Sequence, residues 1–263
     1  PKEDENFIDA TFHMGGHSQL ILEKTKGKIL GIEIDEDIFK KAKEKFKDNK
    51  RVVLINDSYV NLEEIVEEID FKNVNGILFD VGMSSWHIDE SKRGFTFKKD
   101  EPLNMLFKKE GMSAEEIVNT YTKDELERIF KDYGEEKKAR KIAEAILKAR
   151  KEKPIKTTFE LINVLAQNYH ALPRIFQALR IEANKELENL RKTLSQALKV
   201  LKSGGRLLVI SFHSGEDRIV KQFIKENKDK IEPLNKKPIV PEMEEIKQNP
   251  RSRSAKLRIL IKK

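Results

Sequence analysis

Four short segments of this 263-residue chain carry groups able to do chemistry. The first is Asp9-Ala-Thr-Phe-His-Met-Gly15-Gly16-His17-Ser18. Two adjacent glycines let a backbone approach a ligand closely, and a helix starting behind them offers unbonded N–H groups. A tight turn that merely needs glycine reads the same way. The second is Glu33, eighteen positions beyond Gly15. A carboxylate about 20 residues past a glycine turn, at the end of the next strand, can accept hydrogen bonds from both hydroxyls of a ribose. Its neighbours Asp35, Glu36 and Asp37 read as solvated acids. The third is Asp80, which closes the apolar run Ile77-Leu78-Phe79 and precedes Val81-Gly82-Met83-Ser84-Ser85-Trp86-His87. The fourth is Ser211-Phe212-His213-Ser214, followed by Glu216-Asp217-Arg218, where Ser214 with Asp217 also fits a helix cap. Tyr59, after Asn56-Asp57-Ser58, either flanks an adenine ring or packs its own loop.

The glycine loop has neither the G-x-G-x-x-G spacing of nicotinamide and flavin sites nor the G-x-x-x-x-G-K-[ST] of phosphate-cradling ATPases. A glycine turn with a ribose acid, but without a pyrophosphate fingerprint, fits S-adenosylmethionine. That ligand has no pyrophosphate to cradle.

All four segments fall at strand ends. Asn6–Phe12, Lys28–Glu33, Arg51–Asn56 and Gly76–Asp80 read as strands, separated by helices at Ser18–Glu23, Asp37–Lys47 and Leu62–Ile69. Strands spaced by single helices predict parallel βαβ units. Open α/β sheets bind ligands beyond the carboxyl ends of their strands. Residues 81–99 read as a long loop, and helices then follow without strands. Ser113-x-x-Glu116, Thr122-x-x-Glu125 and Thr157-x-x-Glu160 are capping-box signatures. Ala139, Ile142, Ala143, Ile146 and Leu147 form one apolar stripe. A single long helix is expected from about Arg174 to Leu201, stopped by Gly204-Gly205. Strand character returns at Arg206–Ser211 and Ala255–Ile261, and Glu232–Pro241 looks irregular or edge-like. The expectation is an α/β, Rossmann-like, doubly wound sheet with an inserted all-helical domain. Residues 1–87 and 176–263 form the core, and residues 88–175 form the insert.

Charged residues are 37% of the chain and hydrophobic ones 38%, with a net charge of +7. Both signs are abundant, so this is a folded globule rather than a one-sign tail, and its basic excess permits a polyanionic partner. Cysteine is absent, which excludes disulfides, thiolate metal sites and a cysteine nucleophile. No run approaches the roughly 18–20 apolar residues of a membrane span. These features lead to the expectation of a soluble cytoplasmic protein with no metal site and no membrane partner.

The blocks D-A-T-F-x-x-G-G-H-S (Asp9–Ser18), G-I-L-F-D-V-G-M-S-S (Gly76–Ser85), R-G-F-T-F (Arg93–Phe97), Y-G-E-E (Tyr133–Glu136), F-Q-A-L-R-I (Phe176–Ile181), G-G-R-L-L-V-I-S-F-H-S (Gly204–Ser214), E-D-R-I-V-K (Glu216–Lys221) and N-P-R-S-R-S-A-K-L-R (Asn249–Arg258) span nearly the whole chain. In this order they resemble the bacterial RsmH (MraW) family. The resemblance implies a class I methyltransferase that transfers a methyl group from S-adenosyl-L-methionine to N4 of a cytidine in the decoding region of 16S ribosomal RNA. It implies cofactor contacts at Gly15, Gly16, His17, Glu33, Tyr59, Asp80 and His87. Its partner would be 16S rRNA in the small ribosomal subunit, and a homodimer is left open. The other readings are a non-catalytic ribosome-assembly factor on a methyltransferase scaffold and a methyltransferase acting on another nucleic acid.

Within that reading, Asp80 is the first candidate to take the amine proton and His213 the second. Arg93, Phe212, Arg218, Arg251 and Arg253 are the candidates for holding RNA, by stacking in the case of Phe212 and by charge in the others. The chain departs from the family pattern in four places. His13-Met14 precedes the glycine pair where Gly-Arg is usual, and Trp86-His87 stands for Pro-Gln. Asn104 and Leu106 replace an acid and an arginine, and Gly215 replaces leucine.

Overall fold

The computed structural model describes residues 1–263, the side chain of Gln167 excepted. The chain opens with β1 (Asn6–Asp9), α1 (Gly16–Leu22), β2 (Ile29–Ile32), α2 (Glu36–Phe46) and β3 (Val52–Ile55). A 3-10 turn at Tyr59–Asn61, α3 (Leu62–Glu68) and β4 (Val74–Asp80) follow. The helical stretch contains α4 (Ser85–Asp89), α5 (Ala114–Thr120), α6 (Lys123–Asp132), α7 (Ala139–Glu152), α8 (Thr158–Val164) and α9 (Leu172–Asn184). Then come α10 (Glu186–Val200), β5 (Arg206–Ser211), α11 (Ser214–Glu226), β6 (Ile231–Pro233), α12 (Met243–Gln248) and β7 (Lys256–Lys262).

The strands form one sheet in the order β3-β2-β1-β4-β5-β7-β6. The first five are parallel, and β7 and β6 run antiparallel at one edge. Successive side chains of a strand point to opposite faces, and the core divides accordingly. Phe7 and Ile29 pack with Leu22 and Ala42 of α1 and α2. Ile8 and Leu30 pack with Leu62, Leu194 and Val220 of α3, α10 and α11. Helices therefore cover both faces, and the central strands read as continuous apolar runs because neither face meets water. Chain direction around β1 sets the site. β1 pairs with β2 on one side and β4 on the other, so strand order reverses there, and the crevice beyond its carboxyl end is where such sheets bind ligands.

The chain divides into two units, Pro1–Gly82 with Leu187–Lys263, and Met83–Glu186. The second unit contains helices but no strand among its described residues. These divisions fall a few residues from the expected 87/88 and about eleven from 175/176. The reason is α9, whose Leu172, Ile175, Phe176 and Leu179 are buried and which packs on α5 and α6. The single long helix expected over Arg174–Leu201 is two helices, broken where Lys185 takes the left-handed conformation, φ 51. The expected loop 81–99 contains α4, started by Ser84, whose hydroxyl accepts the His87 amide. All three capping boxes form as the sequence predicts. Asp35 is not a solvated acid. It is fully buried and caps α2 by accepting the amides of Asp37 and Ile38.

Candidate active site

The polar groups of the sheet unit gather beyond β1, β2 and β4. Between β1 and α1 the chain makes a turn in which His13 (φ 48) and Gly15 (φ 70) both adopt left-handed backbone. A side chain at Gly15 would be strained by that φ, and its Cβ would lie 2.5 Å from the Phe46 ring and 2.7 Å from Phe12. At Gly16 an added Cβ would meet nothing within 4 Å, so the absent side chain leaves open space beside the backbone.

This turn is tied to both acids. The His13 amide donates to Glu33 Oε2 at 2.7 Å, and the Asp35 amide donates to Glu33 Oε1 at 2.7 Å. From the first turn of α1, His17 Nε2 lies 3.1 Å from Asp80 Oδ2. The Thr11 hydroxyl accepts the Asp80 amide at 2.7 Å. The glycine turn, Glu33, His17 and Asp80 therefore form one connected group.

Electrostatics at these tips are unusual. Glu33 is 3% exposed, and burial pushes its carboxyl up to about 8, against the pull of its two backbone donors. Asp9, at the end of β1, is 1% exposed and burial raises it to about 6. Its Oδ2 accepts the Ser18 hydroxyl at 2.7 Å, while Oδ1 has no partner among the described residues. His17 is raised above the ordinary histidine value, first by its hydrogen bond to Asp80, while burial opposes. Sequence reasoning passed over Asp9, Thr11 and Ser18. The available signal was their place in the same strand-end block, at positions 9, 11 and 18.

Tyr59 begins the 3-10 turn after β3 and packs edge-on against Phe79, ring centroids 5.8 Å apart. At the end of β5, Glu216 Oε2 accepts the amides of Phe212 (2.7 Å) and His213 (3.2 Å). His213 Nε2 sits 3.0 Å from Glu216 Oε1, at ion-pair distance but outside hydrogen-bond geometry. The helix cap here is thus His213 with Glu216, not Ser214 with Asp217. Asp217 instead holds Arg258 of β7, at 2.7 Å. Phe212 is half-buried, and Arg218, Arg251 and Arg253 are exposed.

His87 and Arg93 belong to the helical unit. His87 is 2% exposed, and its ring lies 4.9 Å from each of the Phe95 and Phe107 rings. Its Nδ1 is engaged by the Ser84 amide and hydroxyl, so that nitrogen is not available to a cofactor. Arg93 stacks on Trp86 at 5.4 Å and donates to the carbonyls of Leu106 and Phe107. Its guanidinium holds a loop of this unit. Leu106 is buried in the same loop, and Asn104 accepts the Leu106 amide at 3.0 Å. Both departures from the family pattern there serve packing.

The sheet-unit residues fit a nucleoside-bearing cofactor on two observations. Asp80 Oδ1 is buried without a hydrogen-bond partner among the described residues, and the space at Gly16 would be filled by any side chain. A family model described as the MraW methylase family matches residues 1–263. The chain belongs to this family. It is a methyltransferase, and S-adenosyl-L-methionine is its cofactor. Among curated relatives, Ribosomal RNA small subunit methyltransferase H of Clostridium botulinum (strain Loch Maree) is 43% identical, covering 99% of this chain and 94% of its own. The protein of the same name from Persephonella marina is 46% identical, covering 96% and 90%. Of solved structures, SMU.1697c, a putative methyltransferase from Streptococcus mutans in complex with SAH, superposes with TM-score 0.51 at 13% identity, covering 100% of this chain and 90% of its own. A putative rRNA-methylase from Clostridium thermocellum gives 0.50 at 15%, with the same coverage. At such identities the two structures speak for the fold alone.

Proposed function

We propose that this chain methylates N4 of a cytidine in 16S rRNA of the small ribosomal subunit, in the cytoplasm, with S-adenosylmethionine as donor. The observation that carries the reading is the joined group of Glu33, the glycine turn and the His17–Asp80 pair. It occurs in a chain that matches proteins named small-subunit rRNA methyltransferase over nearly its whole length. Glu33 is placed to accept ribose hydroxyls, Gly15 and Gly16 to let the backbone approach, and Tyr59 to flank the base. The donor supplies an electrophilic methyl group. Held by these residues, it would give that group to the amine nitrogen and keep the bonding pair on sulfur.

The lone pair of a cytosine amine is delocalised into the ring, so the amine is a weak nucleophile. Holding it in line is worth up to about 7–11 kcal/mol of the barrier. A carboxylate that accepts an amine hydrogen favours the cation that develops. Asp80, whose side chain is 20% exposed at the tip of β4, is the first candidate to do this and to take the proton that the methylated amine loses. His213, held beside Glu216, lines the neighbouring strand end and is the second acceptor. Phe212 offers a face for the extruded base, and exposed Arg218, Arg251 and Arg253 offer charge to phosphates.

The deciding experiment incubates small subunits lacking the modification with labelled cofactor and maps the labelled nucleotide. Label at N4 of one 16S cytidine is the expected result. Cofactor binding without label transfer would favour an assembly factor, and label in DNA or another RNA would redirect the substrate.

A further inference from the structure

We infer that the outward face of α7 is a second contact surface for RNA, one that grips the phosphate backbone and reads no bases. The inference rests on the rRNA methyltransferase reading above and extends it to the helical unit. The phosphate candidates Arg218, Arg251 and Arg253 all lie in the sheet unit. Helix α7 turns Ala139, Ile142, Ala143 and Ile146 inward, and it packs on α5 and α6. With about 3.6 residues per turn, the opposite face carries Lys141, Lys148 and Lys151. Lys137, Lys138 and Arg140 surround the start of the helix, and all six cations are exposed. Two exposed acids share this surface, Glu144 and Glu152, and Glu144 lies 3.2 Å from Arg140. The five lysines make no ion pair and no side-chain hydrogen bond among the described residues. On other helices such lysines are paired: Lys40 with Glu36, Lys199 with Glu63 and Lys221 with Asp217.

The stability of the helix does not call for this arrangement. The helix dipole favours acids in the first turn, and α2, α5, α6, α8 and α11 have them. α7 has none there and carries Arg140 and Lys141 instead. Lys148 and Lys151, three positions apart, repel each other. Only Lys151, in the last turn, suits the dipole. The side-chain chemistry selects the partner. Lysine is a flexible point charge that suits phosphate oxygens, whereas planar forks such as arginine's suit bidentate recognition. Residues 137–152 hold no aromatic ring and no exposed large apolar side chain that could anchor a protein partner or enter a bilayer. Phosphate contacts position a partner without carrying sequence information. The face therefore adds affinity for RNA and leaves the choice of nucleotide to the sheet unit.

The test combines Lys137→Gln, Lys138→Gln, Lys141→Gln and Lys148→Gln in the full chain. A control chain carries Lys192→Gln, Lys225→Gln, Lys228→Gln and Lys230→Gln, the same change in net charge on exposed lysines of the sheet unit. Affinity for unmodified small subunits and for 16S rRNA is measured between about 50 and 200 mM salt. For the α7 variant we expect affinity at least about tenfold weaker, and a plot of log affinity against log salt shallower by about 2–4. KM for small subunits should rise at least about tenfold while kcat stays within about twofold. Donor affinity and the methylated nucleotide should not change, and the melting midpoint should stay level or rise. The control chain should keep a salt slope within about one of the wild type. A salt slope and KM equal to the wild type's would overturn the proposal. Equal losses in the control chain would also overturn it, by assigning the effect to net charge. So would a melting midpoint that falls along with affinity, which would assign the lysines to the fold. Failure of the parent reading looks different, because the wild type itself would then transfer no label to small subunits.

Discussion

The strand tips of β1, β2 and β4 and the helical unit bury carboxylates in opposite ways, while Asp217 elsewhere in the sheet unit is paired with Arg258. In the helical unit two of the three buried acids have a cation, and the third, Glu101, accepts the Gly94 amide. Glu136 pairs with Arg174 and is held below the ordinary glutamate value, its backbone and arginine donors together outweighing burial. Glu186 meets Arg180 through two hydrogen bonds, at 2.8 and 3.1 Å. At the tips of β1, β2 and β4, no lysine or arginine pairs with Asp9, Glu33 or Asp80 among the described residues, and Asp9 and Glu33 are pushed up rather than down. A buried ion is costly unless paired. The helical unit meets that cost with its own residues. The tips of β1, β2 and β4 leave it to be met by hydroxyls, amines and protons that arrive from outside. Acids left in this condition mark where the chain expects a ligand.

The largest effect is expected from Asp80→Asn. If this acid works on substrate, turnover at saturating donor should fall roughly a hundredfold or more, with donor affinity changed less than about tenfold. Single-turnover assays with calorimetric affinities check this. Near-normal turnover with weakened affinity would move Asp80 to the cofactor instead. Next in size is Glu186→Gln, which removes the charge facing buried Arg180 and leaves it one acceptor oxygen in place of two. We expect about 3–5 kcal/mol of lost stability in denaturant titration. Donor affinity measured in the folded range should be unaffected, because the pair lies wholly in the helical unit. A loss below about 1 kcal/mol would mean that the ion pair is not what satisfies the buried arginine.

Much of this contrast was legible in the chain. Glu33 and Asp80 stand out because an acid ends an apolar run, and that pattern survives folding since strand ends of a parallel sheet all face one crevice. The three capping boxes are local hydrogen-bond devices and needed no tertiary knowledge. What escaped were features set by packing. Asp35 sits among acids and reads as solvated, yet its cap role buries it. The break at Lys185 lies in a run with unbroken helical periodicity, and only the Arg180–Glu186 pair across it marks the site. Arg93 reads as a phosphate ligand by charge, and its Nη1 donates to loop carbonyls that no sequence pattern reveals.

A smaller effect sharpens the claim about Glu33. With its carboxyl at about 8 in the free protein, the acid is mainly protonated at neutral pH. Raised above its unfolded value of 4.5, it contributes stability that is fully present below 4.5 and is lost as pH rises toward 8. A ribose donating two hydroxyl hydrogens prefers the ionised form. Donor affinity should therefore strengthen as pH rises, by at most about tenfold per pH unit up to 8, then level off. Calorimetry at pH 7 in buffers of different ionisation enthalpy should show up to about one proton released on binding. Glu33→Gln should bind more weakly and lose this pH dependence. A wild type whose affinity is flat across that range would place the ribose elsewhere.

The smallest expected effect concerns strain beside the same acid. His13 holds φ 48 while its amide donates to Glu33. An L-residue in that region costs about 1 kcal/mol that glycine does not. The RsmH-like pattern places glycine at this position, which suits the same backbone. His13→Gly should therefore raise stability by about 0.5–1 kcal/mol, read from the denaturation midpoint at constant m-value. Glycine keeps the amide that Glu33 accepts, so the pH dependence of donor affinity should stay as in the wild type. A gain in stability with that dependence intact would show that the raised acid, not the strained turn, governs binding. A loss of stability would show that the His13 side chain contributes more than its backbone costs.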